Sequence, residues 1–194
     1  MVSMFSDANL FNQDLSRWNV HRVEHFEGMF LAASAFNQPL GRWDVSSAQF
    51  MSSMFAKCPL FNQPLNTWNV SCVMEMDGMF FGCTAFNQPL GRWDVSKVKM
   101  MGQMFSSATR FNQDIGNWNT GEVLDMECMF DHAKAFDQVC EPTVWLYSVH
   151  RTSCVSKPQN HFNLALPLPP LLPSSLLPPL PPLPSGRFCL ERIP

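Results

Sequence analysis

The sequence lacks several patterns that mark common protein classes. Its formal net charge of −3 and pI near 5.9 provide no basic excess, so nucleic acid is not an expected partner. Its seven cysteines contain no Cys-x-x-Cys pair, and neither a disulfide framework nor a zinc site is predicted. The N-terminus has neither a basic nor an apolar leader region, so no signal peptide is expected. No unbroken apolar run reaches the length of a membrane span.

What the sequence does have is repetition. Tyrosine occurs once, whereas phenylalanine occurs 17 times and methionine 13 times, which indicates that a few positions are used again and again. A phenylalanine recurs every 25 residues, and repeat positions are counted from it below. These phenylalanines are Phe11, Phe36, Phe61, Phe86, Phe111 and Phe136. A constant period of 25 residues without insertions predicts a solenoid, in which each coil stacks on the next.

Each repeat has two halves with different spacing. Trp43 and Val45 alternate as in a short strand and are expected to face inward. Ala48, Met51 and Phe55 follow helical spacing, which predicts a short helix in the second half. The fold class predicted is therefore an α/β solenoid of leucine-rich-repeat-like coils, each with one short strand and one short helix, whose strands form a stacked parallel sheet.

The repeats define the predicted domain organisation. Residues 1–138 hold a partial repeat, five full repeats and the start of another, and residues 139–166 continue neither the tryptophan nor the Met-Phe pattern. Residues 167–194 form a Pro/Leu-rich low-complexity tail that is expected to be disordered. Its two Pro-Pro-Leu-Pro motifs resemble ligands of some WW domains, although a low-complexity or non-coding origin is the simpler interpretation.

Polar side chains follow the predicted strands on the outward face. Repeat positions 7 and 9 place arginine beside asparagine or aspartate in most coils. The candidate binding residues are Arg17, Asn19, Arg42, Asp44, Asn69, Arg92, Asp94 and Asn119. Both a concave binding surface and an ordinary solvated face account for this strip. Asn69 also begins an Asn-Val-Ser glycosylation sequon.

Two sets of equivalent repeat positions carry sulfur-containing residues that could have a chemical role. Met-x-x-Met pairs recur in four of the five full repeats, and thioethers are soft ligands for copper. Phe26 replaces the first methionine in the remaining full repeat, as a core position would allow. Cys58 and Cys83 share one column with alanines, so small buried side chains are expected there. No nucleophile–base set and no phosphate-binding loop is present in the sequence, so neither an enzyme nor a cofactor is predicted.

The asparagine at repeat position 2 also recurs in every full repeat. Because a polar residue repeated on every coil can bond to its neighbours, we expect an asparagine ladder here rather than a ligand site. The glutamine that follows it is expected to behave similarly.

The motifs FNQDLSRWNV, FNQPLNTWNV and FNQDIGNWNT resemble the 25-residue repeats of BspA-like surface proteins, which are relatives of leucine-rich-repeat proteins. The resemblance covers roughly residues 1–138. It implies a solenoid displayed at the cell surface, with adhesion or protein binding as its role and no catalytic motif. The sequence departs from the pattern at Ala48 and Thr120.

The function predicted is a non-catalytic scaffold that binds proteins or surface glycans through the polar strip. The alternatives are soft-metal binding by the methionine columns and a truncated repeat copy without a function of its own. Met1 falls at repeat position 16, within the expected helix, so the sequence is expected to be a fragment without its capping unit.

Overall fold

The structure, a computed structural model, describes residues 1–138. The non-repeat segment, the proline-rich tail and the Pro-Pro-Leu-Pro motifs lie outside these residues. The backbone of residues 1–138 consists of turns, extended connections and isolated parallel bridges, without an α-helix or a longer strand. The bridges join His25 to Phe50, Phe50 to Glu75, Glu75 to Met100, and Met100 to Asp125.

The repeats are joined by backbone hydrogen bonds in a fixed register. The amides at repeat positions 16, 18, 20 and 22 donate to carbonyls of the next repeat. Thus Met51 N–H donates to the Glu75 carbonyl at 2.9 Å, and Ser53 N–H donates to the Asp77 carbonyl at 2.7 Å. Because the same register returns in each repeat, side chains at one repeat position form a column along the stack.

The segment expected to be a short helix is a run of turns. The residues at repeat positions 18 and 22 have φ between 51° and 69° in all six repeats, which a right-handed helix does not accommodate. In the second full repeat these residues are Ser53 and Lys57. The turns bond three residues apart, as from Met54 N–H to the Met51 carbonyl at 3.2 Å. The Met-x-x-Met spacing therefore arises from turns of three residues rather than from helical periodicity.

The expected strand also differs from the structure. Trp43 and Val45 are buried, as their alternation predicts, but they lie between two turns. Trp43 N–H donates to the Leu40 carbonyl at 3.0 Å, and Ala48 N–H donates to the Val45 carbonyl at 2.9 Å. The parallel bridges instead lie at repeat position 15, such as at Phe50.

Stacked aromatic rings fill the interior. Equivalent phenylalanines at repeat position 20 have ring centroids 5.6 Å apart between Phe30 and Phe55, while Phe36 and Phe61, at position 1, are 6.0 Å apart. The rings of Trp43 and Trp68 are 6.5 Å apart and almost parallel. Adjacent parallel strands are separated by only about 4.8 Å. Ring spacing between equivalent residues is smallest at the bridges, where the His25 and Phe50 rings are 4.7 Å apart, and largest in the tryptophan column.

Polar ladders run beside the aromatic core, as expected for the asparagine and glutamine columns. Asn37 Oδ1 accepts the backbone N–H of Asn62 at 3.0 Å and the side-chain Nε2–H of Gln63 at 3.0 Å. Equivalent bonds join Asn62 to Asn87 and Asn87 to Asn112. The predicted ladder is confirmed, although these side chains are exposed or half-buried rather than fully buried.

The tryptophan column carries its own ladder. The indole N–H of Trp68 donates to the Leu40 carbonyl of the preceding repeat at 3.0 Å, and Trp93 donates to Leu65 in the same way. Buried indole groups need such partners, so each tryptophan fixes the distance to its neighbour.

Among residues 1–138, no helix has the length and apolarity needed to cross a lipid bilayer.

Candidate functional site

The polar strip at repeat positions 7 and 9 is displayed to solvent. All eight candidate residues are exposed, while the neighbouring columns at positions 8 and 10 are buried from Trp43 and Val45 to Trp118 and Thr120. The exposed residues are Arg17, Asn19, Arg42, Asp44, Asn69, Arg92, Asp94 and Asn119. The structure therefore brings the candidate residues together in two adjacent columns.

The asparagine and aspartate side chains of this strip also stabilise the local backbone. Asp44 Oδ1 accepts the backbone N–H of Ser46 at 3.1 Å, and Asn69 Oδ1 accepts that of Ser71 at 3.2 Å. This bond closes an Asx turn, which explains why only asparagine and aspartate occupy the column. Hydrogen bonds from the Ser46 side chain and backbone hold the pKa of Asp44 below its usual value.

The arginine side chains of the strip do not stabilise the local backbone in this way. Within residues 1–138, the guanidinium groups of Arg42 and Arg92 make no hydrogen bond or ion pair of ordinary length. The Asp14 carboxylate has a lowered pKa, mainly through hydrogen bonds from Ser16 and to a lesser extent through the charges of Arg17 and Arg42. The arginines are the side chains of the strip that remain available to a partner.

The strip does not lie on the side where the repeats approach most closely. It flanks the tryptophan column, where equivalent rings are 6.5 Å apart between Trp43 and Trp68. The bridges at repeat position 15 mark the closely spaced side. The polar strip therefore does not lie on the parallel bridges, although the sequence predicts that it lies on a stacked parallel sheet.

Comparison with known proteins supplies a family. The model of a family described as "Mycoplasma protein of unknown function, DUF285" matches residues 1–80 and 60–165. The chain belongs to this family. The prediction of a repeat family is thereby confirmed at this coarser level. No curated protein and no solved structure shows a significant match to the chain.

The methionine columns of this DUF285 chain lie in its interior. Met51, Met54, Met76 and Met79 have no solvent-exposed surface, and they pack in the same core as the stacked rings. A soft-metal site needs sulfur atoms that converge on an accessible point. The columns that motivated the copper hypothesis thus form part of the hydrophobic core.

The two cysteines that share one repeat position in this DUF285 chain, Cys58 and Cys83, are buried thiols. Cys58 Sγ–H donates to the Phe30 carbonyl at 2.9 Å, and Cys83 Sγ–H donates to the Phe55 carbonyl at 2.9 Å. Burial raises the pKa of Cys58 to about 12 and also raises that of Cys83. Both are free thiols, so the expected small buried residues are confirmed at these positions.

A second surface of the DUF285 repeats was not found from the sequence. Asp77, Asp125 and Glu127 line a groove of roughly 280 Å³ whose floor includes Gly102. Sequence reasoning assigned these residues to a helix and therefore did not place them on one face. The signal that could have found them is the alternation of acidic and uncharged residues at repeat positions 15 and 17.

Proposed function

We propose that the chain is a non-catalytic interaction scaffold, a solenoid of 25-residue coils that binds a protein or a surface glycan through the polar strip. In this proposal the family role is adhesion at a cell surface, as the resemblance to BspA-like leucine-rich-repeat proteins implies. The chain is not an enzyme and uses no cofactor.

The proposal is carried by the difference between the exposed arginines of the polar strip, unbonded within residues 1–138, and the buried tryptophans that lie between its two columns. The side chains of Arg42 and Arg92 are exposed and make no internal bond of their own within residues 1–138, whereas Trp43 and Trp93 between the two exposed columns are fixed in the core. Rigid display of flexible cationic side chains suits recognition of carboxylate, sulfate or phosphate groups. A catalytic role would need a nucleophile and a base in hydrogen-bonding reach.

Binding of the fluorescently labelled full chain to cell surfaces and to an array of surface glycans tests this function. The double variant Arg42→Glu and Arg92→Glu reverses two charges in the strip without touching the core. We expect it to lose most binding, by about tenfold or more in affinity.

The matched control is Arg110→Glu with Lys134→Glu, which makes the same change in charge at exposed residues outside the strip. Binding should change less than about twofold in this control, because exposed charges distant from a ligand are screened. Equal losses in both double variants would show general charge attraction and would overturn the assignment to the strip. Wild-type protein that binds no glycan and no cell surface would contradict the proposed function.

A further inference from the structure

The closely spaced side of the stack carries two columns of side chains, which we call the bridge face. The bridges run through repeat position 15. Side chains at position 17 lie beside those at position 15, since Glu27 Oε1 is 3.1 Å from His25 Nδ1 and since Asp77, Asp125 and Glu127 line one groove. The bridge face comprises His25, Phe50, Glu75, Met100 and Asp125 in one column and Glu27, Ser52, Asp77, Gly102 and Glu127 in the other. It is separate from the polar strip and plays no part in the function proposed above.

Charge alternates along the bridge face from repeat to repeat. Glu75 and Asp77 form one acidic row, and Asp125 and Glu127 form another. Glu27 supplies the acid of the first row, where it pairs with the His25 ring at 3.1 Å. No lysine or arginine occupies either column.

The rows between the acidic ones are uncharged. Phe50 and Ser52 lie in one, and Met100 and Gly102 lie in the other. The side chains of Phe50 and Met100 are half-buried rather than part of the core. The bridge face thus offers an apolar contact between each pair of acidic rows.

The groove lies at the uncharged row of Gly102. A Cβ atom added to Gly102 would lie 3.2 Å from Asp77 Oδ1 and 3.3 Å from Asp125 Oδ2, so carboxylates of two acidic rows converge above it. Burial raises the pKa of Asp77, and the nearby Asp125 and Glu75 charges raise it further. These carboxylates face one another without a neutralising lysine or arginine in their columns, and a cationic partner would relieve the repulsion.

The spacing of the acidic rows indicates how basic residues should be spaced along a partner segment. Two parallel-strand separations of about 4.8 Å place successive acidic rows about 9.6 Å apart. In polyproline II, which has three residues per turn, every third side chain lies on the same side, and residues three apart are about 9.3 Å from each other. A β-strand does not meet this need, because its side chains at positions three apart point to opposite faces. Three basic residues, each three positions from the next, therefore match the three acidic rows.

We propose that the bridge face binds an extended segment of a partner protein that carries arginine or lysine at every third residue, with an apolar residue between them that contacts Met100 or Phe50. The basic side chains pair with the carboxylates of successive acidic rows. An inorganic cation is a less suitable occupant, because residues 1–138 contain no group of three or more His, Cys, Asp or Glu side chains arranged to hold a metal.

Fluorescence anisotropy with labelled peptides and the full chain tests the proposal. The probe is Arg-Leu-Ser-Arg-Leu-Ser-Arg, whose arginines are three apart. Its isomer Ser-Leu-Arg-Arg-Arg-Leu-Ser has the same composition and charge, with contiguous arginines. We expect the spaced peptide to bind at least about fivefold more tightly, since only its spacing matches the rows.

Two variants locate the binding to the groove. Asp77→Asn with Asp125→Asn removes two charges but keeps the acceptor that Asp77 Oδ1 offers to Gly102 N–H, and about tenfold weaker binding is expected. Gly102→Ala leaves the charge unchanged and fills the floor of the groove. It should also weaken binding, and because Gly102 has no positive φ the backbone tolerates the change.

The matched control is Asp14→Asn with Asp114→Asn, which removes two exposed carboxylates that accept turn hydrogen bonds elsewhere. It should alter affinity by less than about twofold. Equal affinity for the two peptides, equal losses in the groove and control variants, or no peptide binding at all would overturn the proposal. Calcium binding by a protein that binds neither peptide would assign the bridge face to an inorganic cation instead. The Arg42→Glu, Arg92→Glu variant should retain the peptide, which separates this result from that of the polar strip.

Discussion

At the scale of single residues, one buried hydroxyl is out of keeping with its column. Repeat position 10 holds valine in four repeats and Thr120 in the fifth. Thr120 is 5% exposed, and its Oγ1 has no hydrogen-bond partner among the described residues. A buried polar group without a partner lowers stability, because it loses its bonds to water.

Thr120→Val should therefore stabilise the full chain by about 1–2 kcal/mol, since valine has the same shape without the hydroxyl. Urea unfolding monitored by tryptophan fluorescence measures the change. The reverse substitution, Val95→Thr, serves as the control and should destabilise the protein by a similar amount. An unchanged or lower stability of Thr120→Val would contradict this account of the column.

Asp77 predicts an unusual dependence of stability on pH. Burial and the neighbouring carboxylates raise its pKa in the folded protein above its ordinary value of 3.8. The folded state therefore binds the proton more tightly than the unfolded state, and the ionised group lowers stability at neutral pH. This penalty disappears as pH falls through the raised pKa to below 3.8.

Asp77→Asn should accordingly raise the midpoint temperature of unfolding at pH 7 and change it little near pH 3. The control is Asp44→Asn, because the pKa of Asp44 is lowered in the folded protein. The ionised Asp44 carboxylate adds stability above pH 3.8, and this contribution is lost as pH falls through the lowered pKa. Asp44→Asn should therefore lower the midpoint at pH 7. The same sign of change in both variants would be incompatible with the opposite environments of the two carboxylates.

At the scale of the repeat element, the turn run depends on left-handed residues. Ser53 and Gly78 occupy the same repeat position, with φ of 58° and 57°. Residues with a Cβ atom are strained in this region by about 1–2 kcal/mol, and glycine is not. The glycines at this position are thus suited to the turn, whereas Ser53 carries strain.

Ser53→Gly should raise the free energy of unfolding by up to about 1 kcal/mol, because relief of strain is partly offset by the greater freedom of glycine in the unfolded chain. Gly78→Ala should lower it by about 1–2 kcal/mol. Chemical denaturation of both variants measures the two effects. If both substitutions change stability in the same direction, the left-handed turns are not the structure of this segment.

The sequence anticipated the columns better than it anticipated the local backbone. The period of 25 residues indicated which side chains share a column, and the buried Trp43 and the exposed Arg42 lie where the alternation of the segment suggested. The three-residue spacing of Met51 and Met54 was interpreted as helical, because turns and helices both bring residues three apart onto one side. Nothing in Ser53 itself signals a left-handed conformation, which only its glycine counterparts suggest.

The candidate site was predictable to the same extent. The exposed columns of Arg42 and Asp44 follow from the alternation of buried and exposed residues. The hydrogen bond from Ser46 N–H to Asp44 Oδ1, which closes an Asx turn, depends on backbone geometry that the sequence does not reveal. The groove beside Asp77 was missed because its residues belong to the segment assigned to a helix.

At the scale of the whole molecule, every proposal depends on repeats that stack in register. The aromatic columns, the asparagine ladder and the bridge face all result from hydrogen bonds between residues about one period apart. Both binding surfaces are consequences of that stacking, because each consists of columns rather than of a local motif. The bridge face would be lost if the segments at repeat positions 16–22 were helices, because its second column lies at position 17.

Amide hydrogen exchange followed residue by residue by NMR tests the stacking most directly. In the stacked structure Met51 N–H and Ser53 N–H donate to the next repeat, while Ser52 N–H has no backbone acceptor among the described residues. The stacked repeats therefore predict slow exchange at Met51 and Ser53 and fast exchange at Ser52 between them. Continuous protection from Ser52 through Phe55 would indicate a helix in this segment and would contradict the account.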